Sequence, residues 1–573
     1  MDEQLIKDEK KTPSVTIKNI EFNEGTKISL DPDDIVVFVG ANNVGKSRAL
    51  KDIIADITES TTQNVIINKI EYNVENFECE SMKNFFATHF TKDQNNHYNV
   101  QMSDVSSHCY SDENFKNIDE TSKYFYRVLF TFLSTESRLD ITKPIRLNYS
   151  IDRYNFNIMN ILETNKEAIT LLNRFLLLGF NKAVEIDNKL QNGDFIKKYK
   201  IGNEQEIKDI IELDKRSSAK KLKMLENLNE QGDGIRSAVA VLASLIVNEH
   251  SLYLIDEPET FLHPPQARLL GKNIVELSKN KQCFISTHNI DLIRGLLEKG
   301  SSRIKIVKID RMDNTNKFHI LDNESITKIA NDKNLKYSNI LNGLFYKQVV
   351  LCENESDCKF YSVILEHLDS NTYQNTLFCA VGGKDQFKLI IPLLKKLGIN
   401  YLIVADIDLI NDKTKLKQLI NSIENDEYNK IASLHNDFLN EFQEKSDSLI
   451  KKQATIKQEI EEIFNTDEYM STEAAEKIKA ILKKINSLKL LKEGGKFILP
   501  AGECTIKFNQ IQQFLKENSI YIVECGEIER FIPEIDMHGN SWVEAVFEKY
   551  KDLNDSKYNS VKDFIKEIFK IPN

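Results

Sequence analysis

The chain has 573 residues, too many for one hydrophobic core, so at least two domains are expected. Hydrophobic residues at 41% and charged residues at 28% are those of a soluble globular protein. A formal net charge of −11 excludes a globally basic surface that would coat nucleic acid, although one groove can still be basic. The eight cysteines lack paired C-x-x-C spacing; Cys352 and Cys358 read as core packing, and a reducing, cytoplasmic location fits. The charged N-terminus is not an ordinary signal peptide. The longest apolar run, Ala238 to Val247, is too short for a bilayer, so no membrane partner is expected.

In chain order, residues 1–13 read as a charged, loose tail, and Val15 to Ile20 alternates like a half-buried strand. Ile35 to Val39 is a buried strand, followed by Gly40-Ala41-Asn42-Asn43-Val44-Gly45-Lys46-Ser47 and a stretch with helical spacing. Strand, glycine loop and helix in this order predict a phosphate cradle. Gly40, Asn42, Asn43 and Gly45 supply backbone N–H groups, Lys46 a charge at the terminal phosphates of a nucleotide, and Ser47 a Mg²⁺ ligand. Residues 66–199 are irregular. Ala168 to Leu177 reads as a buried helix, part of a helical arm within about 70–228. Lys215, Arg216, Lys220, Lys221 and Lys223 form a basic run, read as a solvated helix face with DNA or partner contact as the alternative.

Gly232-Asp233-Gly234 opens the helix that continues through Ala238, and a glycine turn at a helix N-terminus is an anion site. Leu252 to Ile255 is an apolar strand ending in Asp256 and Glu257. Asp256 is placed to hold Mg²⁺, and Glu257 to orient or deprotonate the attacking water. A further strand, Cys283 to Thr287, delivers His288, where it can sense a γ-phosphate. Together these features resemble the ABC-type ATPases of the SMC and RecF kind over about residues 14–310. That resemblance implies a homodimer or higher homo-oligomer, in which the glycine turn of one copy completes the nucleotide site of another. Gly-Asp-Gly here departs from the family's Ser-Gly-Gly.

In the second half, Lys347 to Cys352 is a strand ending in Glu353-Asn354-Glu355-Ser356-Asp357, and Tyr401 to Ala405 is a strand ending in Asp406-Ile407-Asp408. Alternation would put Asp406 and Asp408 on one face if the strand continues, with Glu353 on a neighbour. Clustered carboxylates repel unless a cation neutralises them, so Mg²⁺ or Mn²⁺ is the expected occupant. The pattern resembles the TOPRIM domain of topoisomerases, primases and OLD-family nucleases, with Asn354 replacing the family's glycine. Asn tolerates positive φ, so the turn is expected to survive.

Residues 409–497 read as a helical insertion, a packing or partner surface, and the sheet resumes at Ile520 to Val523. The resemblance carries over Asp357 and Glu527, and also Glu529, as metal ligands with Glu353, Asp406 and Asp408. A late lysine often assists in that family; Lys549, Lys551 and Lys557 are the candidates.

An ABC-type ATPase domain (1–345) followed by a TOPRIM domain (346–573) is the arrangement of the OLD-family nucleases, Gabija-like or retron-associated. It implies an α/β protein cleaving DNA under nucleotide control in anti-phage defence, with catalytic groups Glu257, His288, Glu353 and Asp406. A helicase-like partner, or a reverse transcriptase with its RNA–DNA product, is implied as the companion. The competing readings are an SMC-like repair ATPase, a primase or topoisomerase, and a nucleotide-gated scaffold with an inactive TOPRIM domain.

Overall fold

The computed structural model describes residues 12–572 apart from 61–63, 91, 93–94, 103–104, 117, 119–122, 149–156, 192–193, 212–214, 248, 301, 313–314, 322, 332–338, 446–452, 465–470 and 484–486. Most of the N-terminal tail lies outside the described residues. The chain divides into two compact units, Met1–Lys336 and Tyr337–Asn573.

The first unit is built on a six-stranded sheet of Ile35–Val39 (β1), Phe130–Leu133 (β2), Leu252–Asp256 (β3), Gln282–Ser286 (β4), Ile304–Met312 (β5) and Thr315–Leu321 (β6), in the order β6-β5-β1-β4-β3-β2. All pairings are parallel except that of β5 with β6. A parallel sheet is covered on both faces, so its strands can be apolar throughout, and every side chain of β1 is fully buried. The alternating strand Ser14–Phe22 belongs instead to a three-stranded antiparallel sheet with Lys27–Ser29 and Ile67–Glu75, and shares one hydrophobic cluster with β1.

The stretch expected to be a helical arm is mixed. Lys166–Phe180 is a helix with Ala168, Ile169, Leu172, Phe175 and Leu176 buried. Beside it Ala183–Gln191 and Asp194–Gly202 form an antiparallel hairpin, and Phe130–Leu133 joins the main sheet. The two strands pair along their length, from Asp194 with Gln191 to Gly202 with Ala183, and that pairing outweighs the helical propensity of the lysines. The basic run lies on the helix Lys215–Leu222, except for Lys223 just past its end, and Lys220, Lys221 and Lys223 are exposed.

The second unit holds a four-stranded parallel sheet of Gln348–Cys352 (β7), Thr376–Ala380 (β8), Asn400–Asp406 (β9) and Ile520–Val523 (β10), in the order β8-β7-β9-β10. Between β9 and β10 the described chain is helical, including Lys413–Ile423, Ala432–Lys445, Gln453–Phe464, Thr472–Lys483 and Ser487–Gly494. That last helix docks on the loop after β10. There Gly526 has φ +122 and comes so close to Lys492 that a Cβ would lie 2.1 Å from its carbonyl oxygen.

Gly40 carries a similar constraint in the first unit. Its φ is +144, and a Cβ would sit 2.3 Å from the Ile309 carbonyl oxygen of β5. Gly40→Ala is therefore expected to cost about 1–3 kcal/mol, read as a lower calorimetric Tm. At Gly232 a Cβ would meet nothing within 4 Å, so alanine there should cause no such drop.

Candidate functional site

In the first unit the C-terminal ends of β1, β3 and β4 gather the predicted nucleotide residues. Gly45, at φ +108, starts the helix Lys46–Ile57. Lys46 is buried, and its Nζ donates to the carbonyls of Gly40 (3.2 Å) and Ala41 (2.9 Å). Burial lowers the pKa of its ammonium, while Glu257, Glu259 and Asp256 pull it back up. Ser47 Oγ donates to Asp256 Oδ1 at 2.7 Å, joining the two expected Mg²⁺ ligands, and Ser286 Oγ donates to the same oxygen. A cavity of about 670 Å³ opens here, lined by Asn42, Asn43, Gly45, Lys46 and Ser47 together with Glu257, Arg311 and Asn316. Gly232, Asp233 and Gly234 do not line it. Asp233 and Gly234 form the first turn of the helix Asp233–Val247.

Glu257 stands just past β3 with φ +46, an uncommon conformation for a non-glycine residue. His288 Nδ1 lies 3.1 Å from Glu257 Oε1, so the strand-end histidine and the water-activating candidate are in contact. Two residues escaped the sequence reading. Glu259 is buried, and its Oε1 accepts from Thr287 Oγ1 at 2.6 Å and from the His288 N–H at 3.3 Å; burial raises its pKa. Arg138 is fully buried and donates to the carbonyls of Asp256 and Glu257. Glu259 was legible in Asp-Glu-Pro-Glu; Arg138 follows a short strand with no motif around it.

In the second unit Glu353, Asp406 and Asp408 bring carboxylate oxygens within 4.8 Å of one another, and Glu527, Glu529 and His538 form a second such group. Glu353 Oε1 also accepts the Asp406 N–H at 3.2 Å. Asp357, Asp406, Glu527 and Glu529 line one cavity of about 320 Å³. The reason Asp408 joins Asp406 differs from the expectation. The strand stops at Asp406, and Ile407–Asn411 is a 3₁₀ helix that turns Asp408 back, so strand alternation is not the cause. Asn354 needs no positive φ either. It is extended (φ −131) at the N-cap of the helix Glu355–Leu368, and its N–H donates to Asp357 Oδ2 at 3.0 Å.

Burial and like charge act together on these carboxyls. Asp406 is pushed up to about 8 by burial and then by Glu353, with Lys492 opposing. Asp357 is pushed up to about 6 by burial, with Glu353 and Glu529 adding to it. Burial likewise raises Glu353. Two lysines answer the charge. Lys384, set by Gly382 and Gly383 at φ +77 and +114, pairs with Asp408 and lies 3.6 Å from Glu353. Lys492 bridges Asp406 (3.2 Å) and Glu527 (3.3 Å). Burial disfavours the Lys492 charge, but Asp406, Asp408 and Glu527 outweigh it and raise its pKa.

The late lysines stand elsewhere: Lys557 pairs with Glu534, Lys549 lies over the Tyr550 ring, and Lys551 is exposed. Lys492 was hidden in the helical insertion, where spacing carries no signal; Gly-Gly-Lys after a strand was the visible clue to Lys384.

The donor set fits a hard divalent cation, because it consists of clustered carboxylate oxygens whose like charge a cation would relieve. Glu353, Asp406 and Asp408 would hold one ion, with Asp357, Glu527 and Glu529 beside it.

Residues 35–294 match the family described as "AAA domain, putative AbiEii toxin, Type IV TA system", and residues 344–408 match the Overcoming lysogenization defect protein-like TOPRIM domain. The fold and both sites define an ATPase domain joined to a TOPRIM domain. That TOPRIM domain is OLD-like. It is 25% identical over 334 residues to the Old nuclease of Escherichia phage P2, covering 56% of this chain and 50% of that protein. It is 29% identical over 168 residues to Endonuclease GajA of Bacillus cereus (strain VD045), covering 29% of this chain and 27% of that protein. The chain thus spans half or less of these relatives' length. Among solved structures, it is similar to an SMC head bound to the C-winged helix domain of ScpA, at 13% identity and TM-score 0.33, covering 54% of this chain and 98% of that one.

If the carboxylates of the second unit form a cation site, Mn²⁺ should raise the Tm of the wild-type protein. In Asp406→Asn that shift should disappear, while the metal-free Tm should not fall, since one buried like charge has been removed. Paired thermal melts with EDTA and with Mn²⁺ measure both.

Proposed function

We propose that this protein is a nucleotide-regulated, metal-dependent DNA endonuclease of anti-phage defence. The observation that carries this reading is the convergence of Glu353, Asp406 and Asp408 at the C-terminal edge of the TOPRIM sheet, with Asp357, Glu527 and Glu529 beside them. Kinship with the Old nuclease and GajA supports DNA as the substrate. Bound there, Mg²⁺ or Mn²⁺ would supply Lewis-acid activation of water and neutralise charge on the phosphodiester. The protein's own contribution is to hold the carboxylates close and to keep Lys384 and Lys492 among them, positive charges facing a phosphate backbone.

In the first unit Lys46 would bind the terminal phosphates of ATP, Ser47 and Asp256 would hold Mg²⁺, and Glu257, backed by His288, would orient the attacking water. Gly232, Asp233 and Gly234 would serve the nucleotide of a second copy in a homodimer or larger assembly, a reading supported by their position outside the cavity over Lys46. A helicase-like protein, or a reverse transcriptase with its RNA–DNA product, is the companion this reading carries.

Plasmid and single-stranded DNA incubated with Mg²⁺ or Mn²⁺, with and without ATP and with any companion encoded beside it, test the nuclease. Asp406→Ala and Glu353→Ala should reduce cleavage by at least about a hundredfold while phosphate release from ATP continues. Cleavage that survives Asp406→Ala would move the nuclease site elsewhere.

Lys46→Ala should weaken ATP binding, whereas Glu257→Gln should keep ATP bound and slow its hydrolysis. Gly232→Gln is the clean probe of a composite site, because its side chain meets open space. It should lower hydrolysis without weakening nucleotide binding at Lys46. A Cβ on Gly234 would instead lie 2.5 Å from the Phe261 carbonyl oxygen, so bulk there would damage the fold as well.

A further inference from the structure

Arg138 is the largest charged side chain that the first unit buries completely. A guanidinium offers five N–H donors in a rigid plane, and here five acceptors meet them. Nε donates to Ser237 Oγ (2.8 Å). Nη1 donates to the carbonyls of Leu133 (2.9 Å) and Asp256, and Nη2 to the Glu257 carbonyl (3.0 Å) and Thr135 Oγ1 (3.3 Å). No carboxylate forms an ion pair with it among the described residues; its partners are carbonyls and hydroxyls. Burial lowers its pKa to about 10, against the pull of Glu259, Asp256 and Glu257. An apolar side chain of similar volume would fill the space without burying a charge.

Two of the five bonds fall on the carbonyls at the Asp256–Glu257 turn, where Glu257 holds φ +46. The Glu257 N–H is pinned on its other side, to the Ser286 carbonyl at 3.0 Å. The Nε bond reaches Ser237, on the helix that begins with Asp233 and Gly234. That helix is tied back a second time. Arg236 pairs with Asp233 (2.7 Å) and donates to the Leu139 carbonyl (3.1 Å) and to Thr142 Oγ1 (3.2 Å), at the far end of Arg138's own helix, Thr135–Ile141. A polar path therefore runs from the helix that the glycine turn opens, through Ser237, to Arg138 and the backbone of Glu257, and Arg236 braces that helix against Thr135–Ile141 beside it.

We propose that Arg138 is a positioning residue for ATP hydrolysis, coupling the Gly232–Gly234 turn to the Glu257 backbone. Engagement of the turn by a second copy's nucleotide thereby sets the carboxylate that orients water. This rests on the reading of the first unit as an ATPase with composite sites. Arg138 is fully buried with its donors matched by protein acceptors, so it acts through the peptide groups on either side of Glu257.

The test compares wild type, Arg138→Lys and Ser237→Ala, with hydrolysis followed by phosphate release over a range of protein concentrations. Lysine keeps the charge but cannot span Ser237 and both carbonyls from one nitrogen. Removing the Ser237 hydroxyl cuts the path yet leaves the carbonyl bonds in place.

Both variants should bind fluorescent ATP as wild type does, with KM little changed and kcat at least about tenfold lower. The rise of specific activity with protein concentration, which marks assembly of composite sites, should flatten in Ser237→Ala; a merely structural serine would not change it. Where Arg138→Lys fails to fold, Ser237→Ala decides alone. Wild-type kcat and concentration dependence in folded variants would overturn this proposal and leave the ATPase reading standing. A wild-type protein without ATP hydrolysis would overturn both.

Discussion

Both units are arranged around one electrostatic problem, buried carboxylates crowded at the C-terminal edge of a parallel sheet. Strands that run the same way end at the same edge, so acidic strand ends become neighbours whatever their distance in sequence. In a medium of low dielectric their repulsion is large, and protonation or a cation must relieve it. The second unit shows both responses, in the raised pKa of Asp406 and in the lysines placed against the cluster. The first unit meets the same demand around Asp256, Glu257 and Glu259 with Lys46 and Arg138.

The two solutions differ in how firmly the cation is held. Arg138 has all its donors matched at fixed backbone and hydroxyl acceptors, so its charge is part of the scaffold. Lys46 rests on two carbonyls and Lys492 on two carboxylates, at the ends of flexible stems. Such ammonium groups can reach a phosphate oxygen, a charge-assisted partner stronger than a neutral carbonyl, with little rearrangement of the backbone. The rigid cation is tied to the turn, and Lys46 and Lys492 line the cavities of the two units.

This contrast also explains what could be read without coordinates. The strand, loop and helix around Gly40 to Ser47, and the acids after β3, β7 and β9, are local patterns whose geometry follows from strand direction and glycine freedom. The spatial meeting of Glu353 with Asp406 follows from parallel topology and was equally legible. Asp408 belongs to the cluster for a reason other than the expected one, since a 3₁₀ turn rather than strand alternation returns it. Asn354 illustrates the same limit: a capping bond to Asp357 lets the position stay extended, which no inspection of residue types would reveal. The hairpin strands Ala183–Gln191 and Asp194–Gly202 were hidden because lysines break any alternation, as in Phe195-Ile196-Lys197-Lys198.

The residues that stayed hidden, Arg138 and Lys492, share a property. Each comes from an element remote in sequence from the acids it serves, and each is positioned by a close backbone approach or by bonds to main-chain carbonyls. Lys492 reaches Asp406 because Gly526 lets the helix Ser487–Gly494 lie directly on the loop after β10. Residue chemistry names which groups must be neutralised, but the identity of the neutralising group depends on which chain segment can pack within a few ångströms. The insertion thus has a function beyond filling surface: its last helix delivers a charge into the acidic site. Its earlier helices are held in different ways: Glu473 and Lys477 pair four apart on the surface of Thr472–Lys483, whereas Phe438 and Phe442 of Ala432–Lys445 are fully buried.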